Sequence, residues 1–93
     1  MSNSYETIIV YSLANGEEAA KELAAKFQTM MADNGTVDSV DEWGKRKLAY
    51  LINDEAEGFY VFYTFTAAAE FPAELERVAG ITEGVLRIMT TKK

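Results

Sequence analysis

The sequence contains no cysteine and no histidine. That removes disulfides, thiolate nucleophiles, Ser-His-Asp triads, thiolate or imidazole zinc sites and histidine acid–base catalysis. Proline occurs once and no segment is of low complexity, which argues against disorder. No apolar run approaches the ~20 residues of a membrane helix. The opening MSNSYET has no basic region followed by an apolar one, so it does not read as a signal peptide. Together these absences give the expectation of a cytoplasmic protein held together by packing alone. Positive charge is also scarce. Nine Lys and Arg face fifteen Asp and Glu, for a formal net charge of −6. Bulk electrostatics therefore oppose nucleic-acid binding, and contact with RNA or DNA needs a local basic patch or a basic partner.

What is present is enough apolar material for one core: 48% of 93 residues, read as a single domain over 1–93. Residues 5–13, YETIIVYSL, are β-branched and aromatic and predict a strand. Thr7, Ile9, Tyr11 and Leu13 on one parity face Ile8 and Val10 on the other. A strand apolar on both sides is central and at least partly covered on both faces. Asn15 with Glu18 three residues on has the pattern of a capping box, and Glu17 and Glu18 suit the positive end of a helix dipole. Ala20, Leu23, Ala24, Phe27, Met30 and Met31 then recur at helical spacing. Asn34-Gly35 is expected to end that helix, with Gly in the left-handed region.

From Val37 to Ile52 the chain is strand-like, interrupted at Trp43-Gly44. A polar turn, NDEAEG (53–58), leads into Phe59–Thr66, so the two strands form a hairpin. Pro72 suits the first turn of a second helix, with Phe71, Leu75, Val78 and Ala79 as its apolar stripe and Gly80 as its stop. Val85–Thr91 is a last strand, with Leu86, Ile88 and Thr90 toward the core and Arg87 and Met89 outward. The order β-α-β-β-α-β predicts an α+β, ferredoxin-like fold: a four-stranded antiparallel sheet with both helices on one face. The other face is then wet or binds something. It carries large rings whichever parity of Phe59–Thr66 is turned outward. Tyr60, Phe62 and Met89 are candidates for a partner-docking surface.

Phosphate-binding glycine motifs are absent, and nothing resembles an active site. Asp38, Asp41 and Glu42 precede Trp43, but without the spacing of an EF-hand loop. They read as a solvated strand end. No metal, cofactor, small-molecule substrate or enzymatic activity is expected. The block DEWGKRKLAY (41–50) is more telling, because three of the nine cations are consecutive there. Strand alternation places Lys45 and Lys47 on one face with Trp43, and Arg46 on the other with Leu48, Tyr50 and Ile52. If the Leu48 face is the core, Lys45 and Lys47 stand on the open face beside the aromatics. Such a block serves either as edge-strand protection against aggregation or as a contact point for an anion. The RNA-recognition motif shares the same element order, yet Glu57-Gly58-Phe59-Tyr60-Val61-Phe62 matches its signature poorly: Glu57 stands where that motif has a basic residue.

Tyr5-Glu6, the block Trp43-Gly44-Lys45-Arg46-Lys47-Leu48-Ala49-Tyr50, Gly58-Phe59-Tyr60 and Val85-Leu86-Arg87 together resemble the bacterial small-subunit ribosomal protein S six family over nearly the whole chain. Leu51 departs from the family, which often has Pro there. The resemblance implies a structural protein of the small ribosomal subunit. Such a protein binds the central domain of 16S rRNA as a heterodimer with the small basic ribosomal protein S eighteen and aids subunit assembly. It implies Lys45, Arg46, Lys47, Arg87, Lys92 and Lys93 as RNA contacts, and Trp43, Tyr60, Phe62 and Met89 as partner contacts. Alternatives are a ligand-binding module of the same fold that dimerises, and a single-strand RNA binder that stacks bases on Tyr60 or Phe62, either acting outside the ribosome.

Overall fold

The computed structural model of the protein describes residues 2–52 and 55–93, with side chains placed for 3–48 and 55–93. The elements run β1 (Ser2–Ser12), α1 (Glu17–Asn34), β2 (Gly35–Ile52), β3 (Glu55–Ala68), α2 (Phe71–Ile81) and β4 (Val85–Lys92). The strands form one antiparallel sheet in the order β2-β3-β1-β4. β1 is central, as its two apolar parities require. The element order matches that read from the sequence, and the fold is ferredoxin-like.

Residues paired across a ladder share a face. Tyr5, Ile9 and Tyr11 of β1 and Phe59, Val61, Tyr63, Phe65 and Ala67 of β3 are buried together on one face. Ala20, Ala24, Phe27 and Met31 of α1 and Phe71, Leu75 and Ala79 of α2 close the same cluster. Phe71 meets Phe65 edge-on, with centroids 5.7 Å apart. Burying a Phe or Leu contributes about 1.5–3 kcal/mol, so this face carries most of the stability. Its polar atoms are satisfied internally. Tyr63 donates to the Ala24 carbonyl at 3.3 Å, its hydroxyl lies 2.6 Å from that of Tyr11, and Thr7 bonds to Thr90 and to the Met89 carbonyl.

Several local expectations are corrected. Asn15 does not cap α1: the cap residue is Gly16, with no side-chain cap bond. Gly35 is extended, at φ 174°, rather than left-handed. It is needed because a Cβ there would come within 2.0 Å of the Thr66 carbonyl oxygen on β3. On α1 an exposed ion pair joins Lys21 to Glu17 at 4.0 Å. β3 begins at Glu55, so residues 55–58 are strand and Asn53 and Asp54 lie outside the described residues. Gly80 sits inside α2, which runs on to Ile81. In β4 the pairing skips Leu86, because Tyr11 faces Val85 while Val10 faces Arg87. Val85 and Ile88, not Leu86, therefore pack on the core.

Candidate functional site

The sheet face opposite the helices follows from the register. Ile8 pairs with Phe62 and Met89, and Val10 with Tyr60 and Arg87. Apart from Arg87, these side chains form an apolar stripe across the three strands β3, β1 and β4. Val10 is only 4% exposed, whereas Met89 is 47% exposed. The stripe is thus dense at its centre and open toward the β4 edge. On the β2 side it is extended by Trp43, whose ring lies parallel to Phe62 within 2° at 5.7 Å and near-parallel to Tyr60 at 6.5 Å.

Trp43 reaches this face through a bulge. Pairing jumps from Glu42–Val61 to Gly44–Tyr60, leaving Trp43 as the extra residue, and Gly44 has φ 79°. A left-handed residue at a bulge is accessible mainly to glycine. The extra residue inverts the alternation beyond it. Arg46, opposite Gly58, joins Trp43 on the open face, its guanidinium carbon 5.6 Å from the ring centroid. Lys45 and Lys47, opposite Phe59 and Glu57, fall on the helix side. Lys45 there meets Glu57 at 3.7 Å. The sequence-derived faces are therefore corrected. Trp43 does not share a side with Lys45 and Lys47, and those lysines do not stand beside the open-face aromatics. Leu48 does remain with Arg46, but on the open face, where its Cδ2 and a Val10 methyl close over Gly58. The side chains of Tyr50 and Ile52 lie outside those described.

The four residues read as partner contacts, Trp43, Tyr60, Phe62 and Met89, thus come together on one surface. The six cations do not. Arg46 and Arg87 are on the open face, on the two outer strands, while Lys45 and Lys47 are on the reverse of β2. Lys92 pairs with Tyr5, and the Lys93 backbone N–H donates to the Ser4 carbonyl, at the far end of β4. Lys92 is about six residues along the strands from Lys45, or roughly 20 Å, before the width of the sheet is counted. Ile8, Val10, Arg46 and Leu48 belong to the open surface and were not singled out from the sequence as partner contacts. The doubly apolar pattern of β1 was the signal for the first two.

Elsewhere the chemistry is structural. A shallow hollow of about 320 Å³ lies between Ser12, Glu55 and the turn from Gly80 to Leu86. Its carboxylate is already engaged, accepting from the Ser12 hydroxyl at 2.8 Å and the Leu13 N–H at 3.2 Å. Burial pushes the Tyr63 phenol up to about 12 and Tyr11 further the same way, so both stay neutral donors in the core. On α2 the hydrogen bond from Arg77 holds the exposed Glu74 carboxyl below its usual range. Among the described residues no cluster of acidic side chains could hold a metal ion.

Comparison with known proteins adds the family. The family model described as "Ribosomal protein S6" matches residues 4–92. The small ribosomal subunit protein bS6 of Clostridium perfringens (strain 13) is 51% identical over 90 residues, covering 96% of this chain and 95% of its own. That of Clostridium novyi is 47% identical over 87 residues, 92% of each chain. Among solved structures, the 30S ribosomal protein S6 of Thermotoga maritima superposes with a TM-score of 0.91 at 25% identity. It covers 100% of this chain and 89% of its own. An uncharacterized protein of the same organism shares the fold at a TM-score of 0.64 and 15% identity, over 99% and 98% of the two chains.

Proposed function

The chain belongs to the ribosomal protein S six family and is a protein of the small ribosomal subunit; from that premise we propose that it acts as a structural, non-catalytic assembly protein, binding the central domain of 16S rRNA as a heterodimer with ribosomal protein S eighteen. The observation that carries this reading is the open face. An acidic chain keeps Trp43, Phe62, Tyr60, Ile8 and Met89 outward on one surface opposite its helices. A protein partner with apolar side chains covers such a surface, and a basic one supplies the phosphate neutralisation this chain lacks. Arg46 and Arg87 border the face, and Lys45, Lys47, Lys92 and Lys93 are separate cationic points for RNA. Because they are dispersed, they suit a folded RNA junction recognised by shape rather than a single phosphate cluster.

Titration of the purified protein with the central-domain rRNA fragment, with and without S eighteen, tests the mechanism. Tight binding requires both proteins. Equal binding by this chain alone would overturn the heterodimer. A second reading draws on the parallel rings of Trp43 and Phe62, which offer a stacking platform for unpaired bases. It predicts that Phe62→Ala or Tyr60→Ala abolishes binding to short single strands.

A further inference from the structure

The charges on the open face are sorted along the strands. Toward the start of β1 the pairing brings Glu6, Thr64 and Thr91 into one row, with Ser39 beside Thr64. Asp38, displaced by a second register shift, accepts from the Thr66 hydroxyl at 2.9 Å on the same side. The next row is Asp41, Phe62, Ile8 and Met89, with the Asp41 carboxylate accepting from the Trp43 indole N–H at 3.0 Å. Beyond it come Tyr60, Val10 and Arg87, then Arg46. The apolar stripe therefore lies between a carboxylate-and-hydroxyl margin and an arginine margin. Among the described residues the ion pairs join Lys21 to Glu17, Lys45 to Glu57 and Arg77 to Glu74, so none involves Glu6, Asp38 or Asp41. The hydrogen bonds to Asp38 and Asp41 fix the direction of those carboxylates without neutralising them.

We propose that this face is a directional docking surface for a basic protein segment. Apolar side chains of the segment lie on Phe62, Ile8, Met89 and the Trp43 ring. Its lysines or arginines reach Glu6, Asp41 and Asp38, and its carbonyl- or carboxylate-bearing end turns toward Arg46 and Arg87. The occupant follows from charge complementarity. RNA is excluded from the carboxylate margin by repulsion, and a second copy of this chain, with net charge −6, is a poor match for it. A neutral apolar stripe would accept a segment in either direction; unlike margins make one orientation favourable and the reverse repulsive. The inference rests on the partner-docking reading above and adds its polarity.

The test measures binding of S eighteen by isothermal titration across a range of salt concentrations. The variants are Glu6→Gln/Asp41→Asn, which keeps acceptors for the indole, and Phe62→Ala. The neutralised variant is expected to bind about tenfold more weakly with a shallower salt dependence. Phe62→Ala is expected to weaken binding with the salt dependence unchanged. Wild-type affinity and salt dependence in Glu6→Gln/Asp41→Asn, alongside loss in Phe62→Ala, would overturn the polarity and leave the docking reading standing. Absence of any complex with the wild-type protein would overturn both. Stronger binding of the central-domain rRNA fragment alone by Glu6→Gln/Asp41→Asn would assign the face to RNA and overturn the proposal.

Discussion

Arg46 lies over the ring of Trp43, 5.6 Å from its centroid, although three residues apart in a strand. In a regular strand such residues point to opposite faces. They meet because the extra residue of the bulge at Trp43-Gly44 reverses the alternation. A cation over an exposed indole contributes about 0.5–1 kcal/mol and holds the guanidinium at the margin of the aromatic stripe.

Gly44→Ala tests this device. A Cβ at Gly44 would meet nothing within 4 Å, so the cost is purely that of the left-handed backbone at φ 79°. We expect a loss of roughly 1–2 kcal/mol in urea unfolding followed by far-UV circular dichroism. Gly44→Asn should lose less, because Asn tolerates that region. Relief of the strain by straightening the strand would turn Trp43 off Phe62, and near-ultraviolet dichroism of this single tryptophan would report it. No stability loss in Gly44→Ala would contradict the bulge.

The buried phenols should respond unequally to removal. Tyr63 sits in the middle of the relay, between the Tyr11 hydroxyl and the Ala24 carbonyl. Tyr63→Phe leaves the Tyr11 hydroxyl buried without its partner, at a cost of about 1–3 kcal/mol. Tyr11→Phe leaves the Tyr63 bond to Ala24 intact and costs about 0.5–1.5 kcal/mol. Denaturant midpoints of the two variants check the order; a reversed order would contradict the relay.

The same pair predicts an alkaline limit. An unfolded tyrosine titrates near 10, and in the fold Tyr63 is raised to about 12 with Tyr11 raised further. Between those values the folded state holds more protons than the unfolded one, so stability falls as pH rises. The contribution is complete below pH ~10 and is lost from there toward ~12, by at most about 1.4 kcal/mol per pH unit for each tyrosine. Unfolding midpoints should be unaffected by these groups from pH 7 to 9 and decline above 10. The decline should be shallower in Tyr11→Phe/Tyr63→Phe; an identical slope would assign it to other groups.

The split of the basic block can be read in RNA binding. Lys45→Glu/Lys47→Glu should fold, since both side chains are exposed. It should bind the RNA–partner complex with a salt slope lower by roughly 0.7–0.9 per lost phosphate contact. Binding of S eighteen alone should be unchanged if it docks as proposed, because those lysines lie on the reverse of the sheet from the apolar stripe. Arg46→Ala should show the opposite balance. Unchanged RNA affinity and slope in the lysine variant would return Lys45 and Lys47 to edge protection of β2.

Much of the architecture was legible because it depends on local periodicity. Ala20, Ala24, Phe27 and Met31 recur at helical spacing, and a helix buries whatever recurs so. Ile8 and Val10 alternating with Ile9 and Tyr11 made β1 central before any pairing was known. Element ends were less legible. Asn15 has cap chemistry, but the chain reaches the helix through Gly16 instead. Gly35 looked like a left-handed stop, whereas its role is set by the Thr66 carbonyl oxygen of a strand some thirty residues away.

By itself, the sequence determined the order of elements, the buried faces of both helices, the aromatic content of the central strands and the family. These depend on residue type and spacing within single segments. The tertiary structure alone decided on which side of the sheet Trp43, Lys45, Arg46 and Lys47 stand. The alternation of a strand survives only while its register with the neighbouring strand is regular, and one extra residue opposite Tyr60 and Val61 is enough to invert it. The run Lys45-Arg46-Lys47 is one block in sequence, but in the fold it serves two surfaces.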